Sequence, residues 1–415
     1  MSELNVALAV TGVVLLTLGM FSSAISRISF ITEPLVALLA GVLIGPAVLD
    51  LVDLAGLGDQ TVILQQAALL TLGIALMGTA LRLPVDYVRH YWKPLVVLLG
   101  LGMPLVWLCG SLLVYLILGL PFLVAVLVAA IITPTDPVVA GLIVTGDVAE
   151  KHLPERLRDT ISAESSFNDG LAYPFVLLPV LLLTRPPDEA VSHWLVSTIP
   201  LEVGVAAVLG LLMGYGTGKV LKWAQAKGTT EPTSVLAVTL ALTLSVLGIV
   251  ETLGLDSVLA VFLAGLAFNT TLSRGPQQES GDFLERKGQV QEVAARFFDL
   301  PIFVLLGMAL PWEGWLELGW IGPLLVATVL PLRRIPVVLA LKPLLGQMRR
   351  KGDVLFLSWF GPLGAAALYY ASLSLEEVGA EEVWVVGSLF VCASLVAHGV
   401  TAAPLARLYG RHARE

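Results

Sequence analysis

The sequence predicts an all-α polytopic membrane protein of about thirteen transmembrane helices, and three observations predict it. Hydrophobic residues fill 57% of the 415 positions and charged residues only 13%, against roughly 45–50% and about 25% in soluble domains. The apolar residues gather into continuous runs of about 20, the length of helix that crosses a bilayer. Because the runs are continuous and not alternating, a β-barrel is excluded. Finally, the basic residues are lopsided: 20 of the 24 Lys and Arg fall in every second loop, Arg185 alone falls in the other set, and Arg296, Arg333 and Arg334 lie within spans. Basic loops stay in the cytoplasm, so the N-terminus lies outside, the C-terminus inside, and an odd number of helices between.

In order, the spans lie near 4–25, 30–50, 61–81, 94–119, 121–146, 160–184, 194–218, 232–250, 256–272, 292–310, 318–341, 353–373 and 382–406. The first has no basic leader and no small-residue cleavage site, so it is read as a retained helix and not a signal peptide. Connections are short and carry Gly, Pro and charge. The longest, 269–291, is hydrophilic and fits an amphipathic surface helix. Cys109 and Cys392 both fall in apolar runs and read as small core residues, with no disulfide or metal framework. There is no basic arm with interleaved aromatics, no Gly-rich phosphate loop after a strand and no separate soluble domain. Nucleic acid, nucleotide and cofactor binding are therefore not expected, and the partners are the bilayer and whatever is carried across it.

Thirteen spans suit two inverted six-helix repeats joined by a linker helix, a transporter design with its site at the repeat interface. Such a site is marked by matched interrupted helices. Span 5 contains IITPTDPVVAG (131–141), with Pro134 and Pro137 bracketing Thr135 and Asp136. Seven spans later, span 12 contains SWFGPLGAAAL (358–368), with Gly361, Pro362 and Gly364. Both break helical hydrogen bonding at depth.

Charges inside a bilayer are costly unless paired or hydrated, so each is a functional candidate. Asp136, in the first break, either neutralises a half-helix N-terminus or touches an ion directly. Thr135 beside it offers a hydroxyl and a freed carbonyl, ligands of the kind hard cations prefer. On span 6, in SAESSFNDG, Ser165 shares a helix face with Asn168 and with Asp169, at spacings of three and four. Facing the broken span, this group supplies a carboxylate, a hydroxyl and a carbonyl to a small cation. Asp169 could hold a proton in its place. Such a site is the minimal machinery of an antiporter; the bland alternative is a polar helix-packing motif. Glu164 points elsewhere, and Arg333 and Arg334 of span 11 are the buried cations available to it. Arg296 snorkels near the cytoplasmic end of span 10 with Asp299 beside it. Glu33, Glu202, Glu251 and Asp256 read as boundary residues, with Glu202 the deepest. His398 is either a packing residue or a pH sensor.

Five pieces, EPLVALLAGVLIGP (33–46), TPTDPV (133–138), ESSFNDG (164–170), GLDSVLAVFLAGLAFN (254–269) and HGVTAAPL (398–405), run in order along nearly the whole chain; FVLLG (303–307) and GPLGAAA (361–367) agree more loosely. In these the sequence resembles the monovalent cation/proton antiporters, in their electroneutral sodium/proton exchanger branch. The resemblance implies a homodimer of thirteen-helix protomers in the cell (inner) membrane. Each would have a mobile core, about 61–184 and 292–406, and a dimerisation part, about 4–50 and 194–272. The two broken helices would cross within the core. It also implies Asp169 as the carboxylate that binds cation or proton, Ser165 and Thr135 as oxygen ligands of Na⁺, and Asn168 as a supporting residue. Glu164, beside them, would pair with Arg334, whose spacing fits the family better than that of Arg333. One departure is visible: the family often has Arg between the Pro and Gly of the second break, where this chain has Leu363.

The expected activity is exchange of Na⁺ (or Li⁺) for H⁺, one for one because a single carboxylate exchanges, by alternating access. K⁺/H⁺ exchange on the same scaffold is the alternative. An intramembrane hydrolase using Ser165, Asp169 and His398 lacks a pre-positioned oxyanion hole, so no enzyme activity is expected. A channel would pass many ions per event without proton coupling.

Overall fold

The computed structural model of the protein describes residues 2–27, 32–85, 87–229, 234–273, 297–346, 348 and 350–412. Helix occupies all thirteen predicted stretches, and no strand occurs among the described residues. The principal helices are α1 (Ser2–Arg27), α2 (Glu33–Ile44), α3 (Gln60–Arg82), α4 (Trp92–Leu118), α5 (Phe122–Ile132), α6 (Pro137–Val144), α7 (Glu155–Thr184), α8 (Pro187–Ala226), α9 (Ser234–Thr252), α10 (Ser257–Ser273), α11 (Phe297–Met308), α12 (Ile321–Leu332), α13 (Ile335–Leu341), α14 (Lys351–Trp359), α15 (Ala365–Val378) and α16 (Glu381–His412). Among the described residues, seven helical runs, α3, α4, α7, α8, α9, α12 with α13, and α16, are each long and apolar enough to cross a membrane. An eighth counts if α11 is joined to Trp312–Leu318, from which it bends by 67°. Both proline-marked stretches are broken as expected: α5 and α6 flank one unwound segment, α14 and α15 the other.

Three boundaries differ from the hydropathy reading. The second stretch is helical only over Glu33–Ile44. Pro46 disfavours helical backbone at Gly45, and the chain then turns back, with the Leu51 and Val52 amides bonding to the Ile44 carbonyl. The seventh is far longer, 40 residues, and passes through wide π-turns over Trp194–Val203. Pro200 lies inside that segment and has no amide hydrogen to give the preceding turn, so the helix widens instead of ending. Of the hydrophilic connection 269–291, residues 269–273 finish α10; the rest, with the expected surface helix and Arg296, lies outside the described residues.

Packing is set by small residues. Gly210, Gly214 and Gly218 lie one turn apart on α8 and face Ala260, Ala264 and Thr271 of α10. The backbones approach so closely that a Cβ on Gly214 would collide with the Ala264 carbonyl. Lipid offers no hydrophobic drive for helices to associate, so close backbone contact of this kind holds such pairs. On its other side α10 meets α3, Gly265 against Met77 and Ala80, and Asn269 donates to the Ala80 and Leu83 carbonyls at 3.0 Å each, closing the C-terminal turn of α3. Gly170 of α7 lies against Leu259 of α10, where an added Cβ would sit 2.7 Å from the Leu259 backbone. α10, backed by α8, thus forms the surface on which α7, the helix of SAESSFNDG, rests.

Gly214→Leu should force α8 and α10 apart at a cost of about 1–3 kcal/mol, read as a lowered unfolding temperature in detergent. Gly216→Leu, where an added Cβ would meet nothing within 4 Å, should not lower that temperature.

Candidate functional site

The first break follows from two prolines. Neither Pro134 nor Pro137 can donate an amide hydrogen to the turn before it, so helical bonding is not carried across the segment. Thr133 closes α5 by bonding its hydroxyl to the Ala129 carbonyl at 2.7 Å, and α6 starts at Pro137, a position where proline suits a helix. The second break, between Trp359 and Ala365, lies directly against the first. The Asp136 amide donates to the Pro362 carbonyl at 2.8 Å. Gly364 leaves room for the Asp136 carboxylate, which would stand 2.6 Å from a Cβ there.

Two broken helices expose four sets of unsatisfied backbone groups, and two side chains serve them. Asp136, 1% exposed, accepts from the Val139 amide of α6 at 3.0 Å and from the Ala366 amide of α15 at 3.4 Å, so one carboxylate caps both N-termini. Arg333, also 1% exposed, donates to the Ile132 and Thr133 carbonyls that end α5 and, at 2.8 Å, to the Gly361 carbonyl that follows α14. One guanidinium therefore meets the negative ends of both half-helices, where a cation is favoured. A cation does lie at the crossing although Leu363 stands where the family often has Arg, and it comes from a different helix. The Leu363 amide itself bonds to Ser394 Oγ at 2.8 Å.

Arg333 reaches the crossing because PLRRIP interrupts its own span. Pro336 cannot bond to the Leu332 carbonyl four residues back; that carbonyl accepts instead from the Cys109 thiol at 3.4 Å. The interruption between α12 and α13 turns both arginines inward. Arg334, 5% exposed, makes a bidentate pair with Glu164, 4% exposed, at 3.0 and 2.8 Å. This forked geometry is the strong form of a carboxylate–guanidinium contact. Of the two arginines, then, Arg334 holds Glu164 and Arg333 holds the helix ends.

The remaining residues of SAESSFNDG meet Thr135. Asn168 donates to Thr135 Oγ1 at 2.9 Å and accepts from the Thr135 amide at 2.9 Å, replacing with its side chain the helical bonds that the break removes. It also donates to Glu164 Oε1 at 3.1 Å. The Ser165 hydroxyl donates to the Thr135 carbonyl. Thr135, Glu164, Ser165, Asn168 and Arg334 thus form one hydrogen-bonded group. Asp169 stands apart from it. It is fully buried, and neither carboxylate oxygen has a hydrogen-bond partner among the described residues. Its backbone carbonyl accepts from the Tyr370 hydroxyl of α15 at 2.6 Å, which ties α7 to the second broken span.

Other candidates have plainer surroundings. His398 is buried, with Nε2 3.1 Å from the Trp359 carbonyl and Nδ1 2.9 Å from Ser394 Oγ. Nδ1 also lies 3.1 Å from the Ser394 carbonyl, so a carbonyl faces each ring nitrogen, and the ring packs between the end of α14 and α16 and supports the break. Asp256 caps α10 through the Leu259 amide at 3.0 Å. Glu202 lies inside α8 and accepts from Tyr173 and Ser197 at 3.0 and 3.1 Å. Asp299 opens the described part of α11, with Oδ1 buried and unpaired. Among the described residues, no group of three or more His, Cys, Asp or Glu is placed to hold a resident metal. Sequence reading missed Tyr370 and the capping role of Arg333. A second arginine beside the paired one was the only signal for the latter; Tyr370, a tyrosine in an apolar run, carried none.

Removing one member of a buried pair costs about 3–5 kcal/mol because the other charge is stranded. Arg334→Gln and Glu164→Gln should each lower thermal stability or folded yield, whereas Arg185→Gln, at an exposed helix end, should not.

Comparison with known proteins bears on the family and the fold. The family described as "Sodium/hydrogen exchanger, transmembrane" matches residues 12–408. The chain is 33% identical over 377 residues to Na(+)/H(+) antiporter 2 of Zygosaccharomyces rouxii, covering 87% of this chain but only 45% of that protein. It is 29% identical over 426 residues to a Na(+)/H(+) antiporter of Schizosaccharomyces pombe, covering 96% and 89%. The chain thus spans less than half of the first relative's length and most of the second's. A solved structure of the sodium proton antiporter of Methanocaldococcus jannaschii shares the fold, with a TM-score of 0.74 at 19% identity over 98% of both chains. On the match that runs across almost all of its length, the chain belongs to the sodium/hydrogen exchanger family.

Proposed function

We propose that the protein exchanges Na⁺ (or Li⁺) for H⁺ across the cell membrane, one for one, by alternating access. The observation that carries this reading is the contrast between two buried acids five residues apart on α7. Glu164 is held by Arg334 and Asn168, while the Asp169 carboxylate has no hydrogen-bond partner among the described residues. A paired carboxylate keeps its charge; an unpaired one in an apolar interior must take a cation or a proton to be neutral. Cation and proton therefore compete for one group, and neither crosses without the other being exchanged. Ser165 and Thr135, one helical turn away and in the adjoining break, supply neutral oxygens to the cation once their mutual hydrogen bond opens. Asn168 orients them. The names of the relatives support sodium over potassium as the cation carried.

In this reading α3 to α7 and α11 to α16, the crossed pairs among them, move as a core against α1, α2 and α8 to α10. The sliding surface includes the contact of Gly170 with Leu259. The second part also joins two protomers, and the C-terminus faces the cytoplasm. Rigid movement suits a site whose helix ends are already neutralised by Asp136 and Arg333, because no new charge is exposed when the core shifts.

In everted vesicles with an imposed pH gradient, Na⁺ or Li⁺ should dissipate the gradient, and Asp169→Asn should abolish this. Dissipation unchanged in that variant would remove Asp169 from the site. A membrane-potential dye in the same vesicles should report no voltage, since one charge replaces one charge; a Na⁺-driven voltage would require a second exchanging acid. Apparent Na⁺ affinity should fall as pH is lowered while the maximal rate persists, the signature of competition at one carboxylate.

A further inference from the structure

At the end of the molecule where the basic loops lie, α14 and α16 form a surface groove of about 680 Å³. Its walls are Leu355, Phe356, Trp359, Leu405 and Leu408, of which Leu355 and Leu408 are about half exposed, and its lip carries Arg350 and Lys351. The acid nearest the lip, Asp353, is fully buried and already engaged by Arg156 at 2.7 Å and by the Tyr409 hydroxyl. The lip thus presents two cations and no competing anion from these helices, above an apolar trough with an indole and a phenol at its margin. Cations beside hydrocarbon, with aromatic residues at the boundary, are the chemistry of a lipid at a membrane interface.

We propose that this groove binds an anionic phospholipid of the cytoplasmic leaflet, with its phosphate on Arg350 and Lys351 and an acyl chain along α14 and α16. The placement rests on the membrane orientation given above. A zwitterionic lipid would satisfy the apolar wall equally but would bring no net negative charge to the two cations. The groove also connects to the crossing. The Trp359 indole donates to Thr401 Oγ1 at 3.0 Å, the Trp359 carbonyl bonds to His398 Nε2, and His398 and the Leu363 amide share Ser394. A lipid lying on Trp359 therefore presses α14 onto α16 where the first half of the second broken span ends. Lipid composition becomes a means of stiffening the crossing without touching the ion site.

The test uses the full chain in detergent with phosphatidylglycerol or phosphatidylcholine of identical acyl chains, read by lipid retention in native mass spectrometry and by unfolding temperature. Phosphatidylglycerol should bind more tightly and stabilise more. Arg350→Gln with Lys351→Gln should weaken phosphatidylglycerol about thirtyfold, at ~1 kcal/mol for each basic residue, and leave phosphatidylcholine unchanged. Leu408→Trp, which fills the trough, should weaken both. Equal affinity for the two lipids would overturn the proposal. A preference that survives in the double variant would do so too, moving the lipid to Lys219 and Lys222 on α8. A change of oligomeric state in Leu408→Trp with lipid binding intact would also overturn it, giving the groove to a second copy. Because binding is read without transport, a chain that holds phosphatidylglycerol but does not exchange Na⁺ for H⁺ would refute the exchange and leave this site standing.

Discussion

The structure depends on satisfying backbone ends inside an apolar interior. Each broken span leaves amides and carbonyls that neither lipid nor helix can take up, and every unsatisfied group of this kind costs several kcal/mol in hydrocarbon. Crossing the two breaks brings like ends close enough to share a partner. Asp136 then serves two N-termini and Arg333 two C-termini. One acid and one base stand where four separate caps would otherwise be needed, and their charges cancel across the crossing.

That economy shapes the residues around it. Arg333 can reach the carbonyls only because Pro336 interrupts its helix, and the same interruption delivers Arg334 to Glu164. The Cys109 thiol takes the carbonyl that Pro336 leaves over, so a cysteine that reads as simple filler has a hydrogen-bonding place. Gly361 and Gly364 keep side chains out of the space that Arg334 and Asp136 occupy. Asn168 does for the backbone at Thr135 what the helix can no longer do, and in doing so bonds to Glu164. The polar residues of SAESSFNDG are thereby divided. Glu164, Ser165 and Asn168 are committed to holding the break, and Asp169 is left over. A second acid in place of Asn168 could not both donate and accept at Thr135, so the neutral amide is a structural requirement before it is a matter of charge balance.

Much of this was legible in the sequence. The helical stretches and both breaks were, because hydropathy and proline act locally: two prolines in TPTDP, and a proline between two glycines in FGPLG, each remove helical bonds and favour a break. The members of the polar group were legible too, since charged and amide side chains in apolar runs are expensive enough to need a reason. What each does was not. Arg333 and Arg334 are adjacent and chemically identical, so no local rule divides them; only the approach of α5, α7 and α14 assigns one to carbonyls and the other to a carboxylate. The true lengths of α2 and α8 also escaped the hydropathy, because Gly45 ends one inside an apolar run while Pro200 fails to end the other.

By itself the sequence determined the all-helical class, the order of the apolar stretches, where two of them break, and which acids lie too deep to be idle. These follow from composition, helix length and the missing amide of proline, all properties of short segments. Tertiary structure alone decided that the breaks face each other, that Asp136 and Arg333 are each shared between two helices, and that of the buried acids Glu164 and Asp169 on α7 the first is paired and the second has no partner among the described residues. Those outcomes depend on distances between side chains some 30 to 230 positions apart, which no pattern along the chain contains.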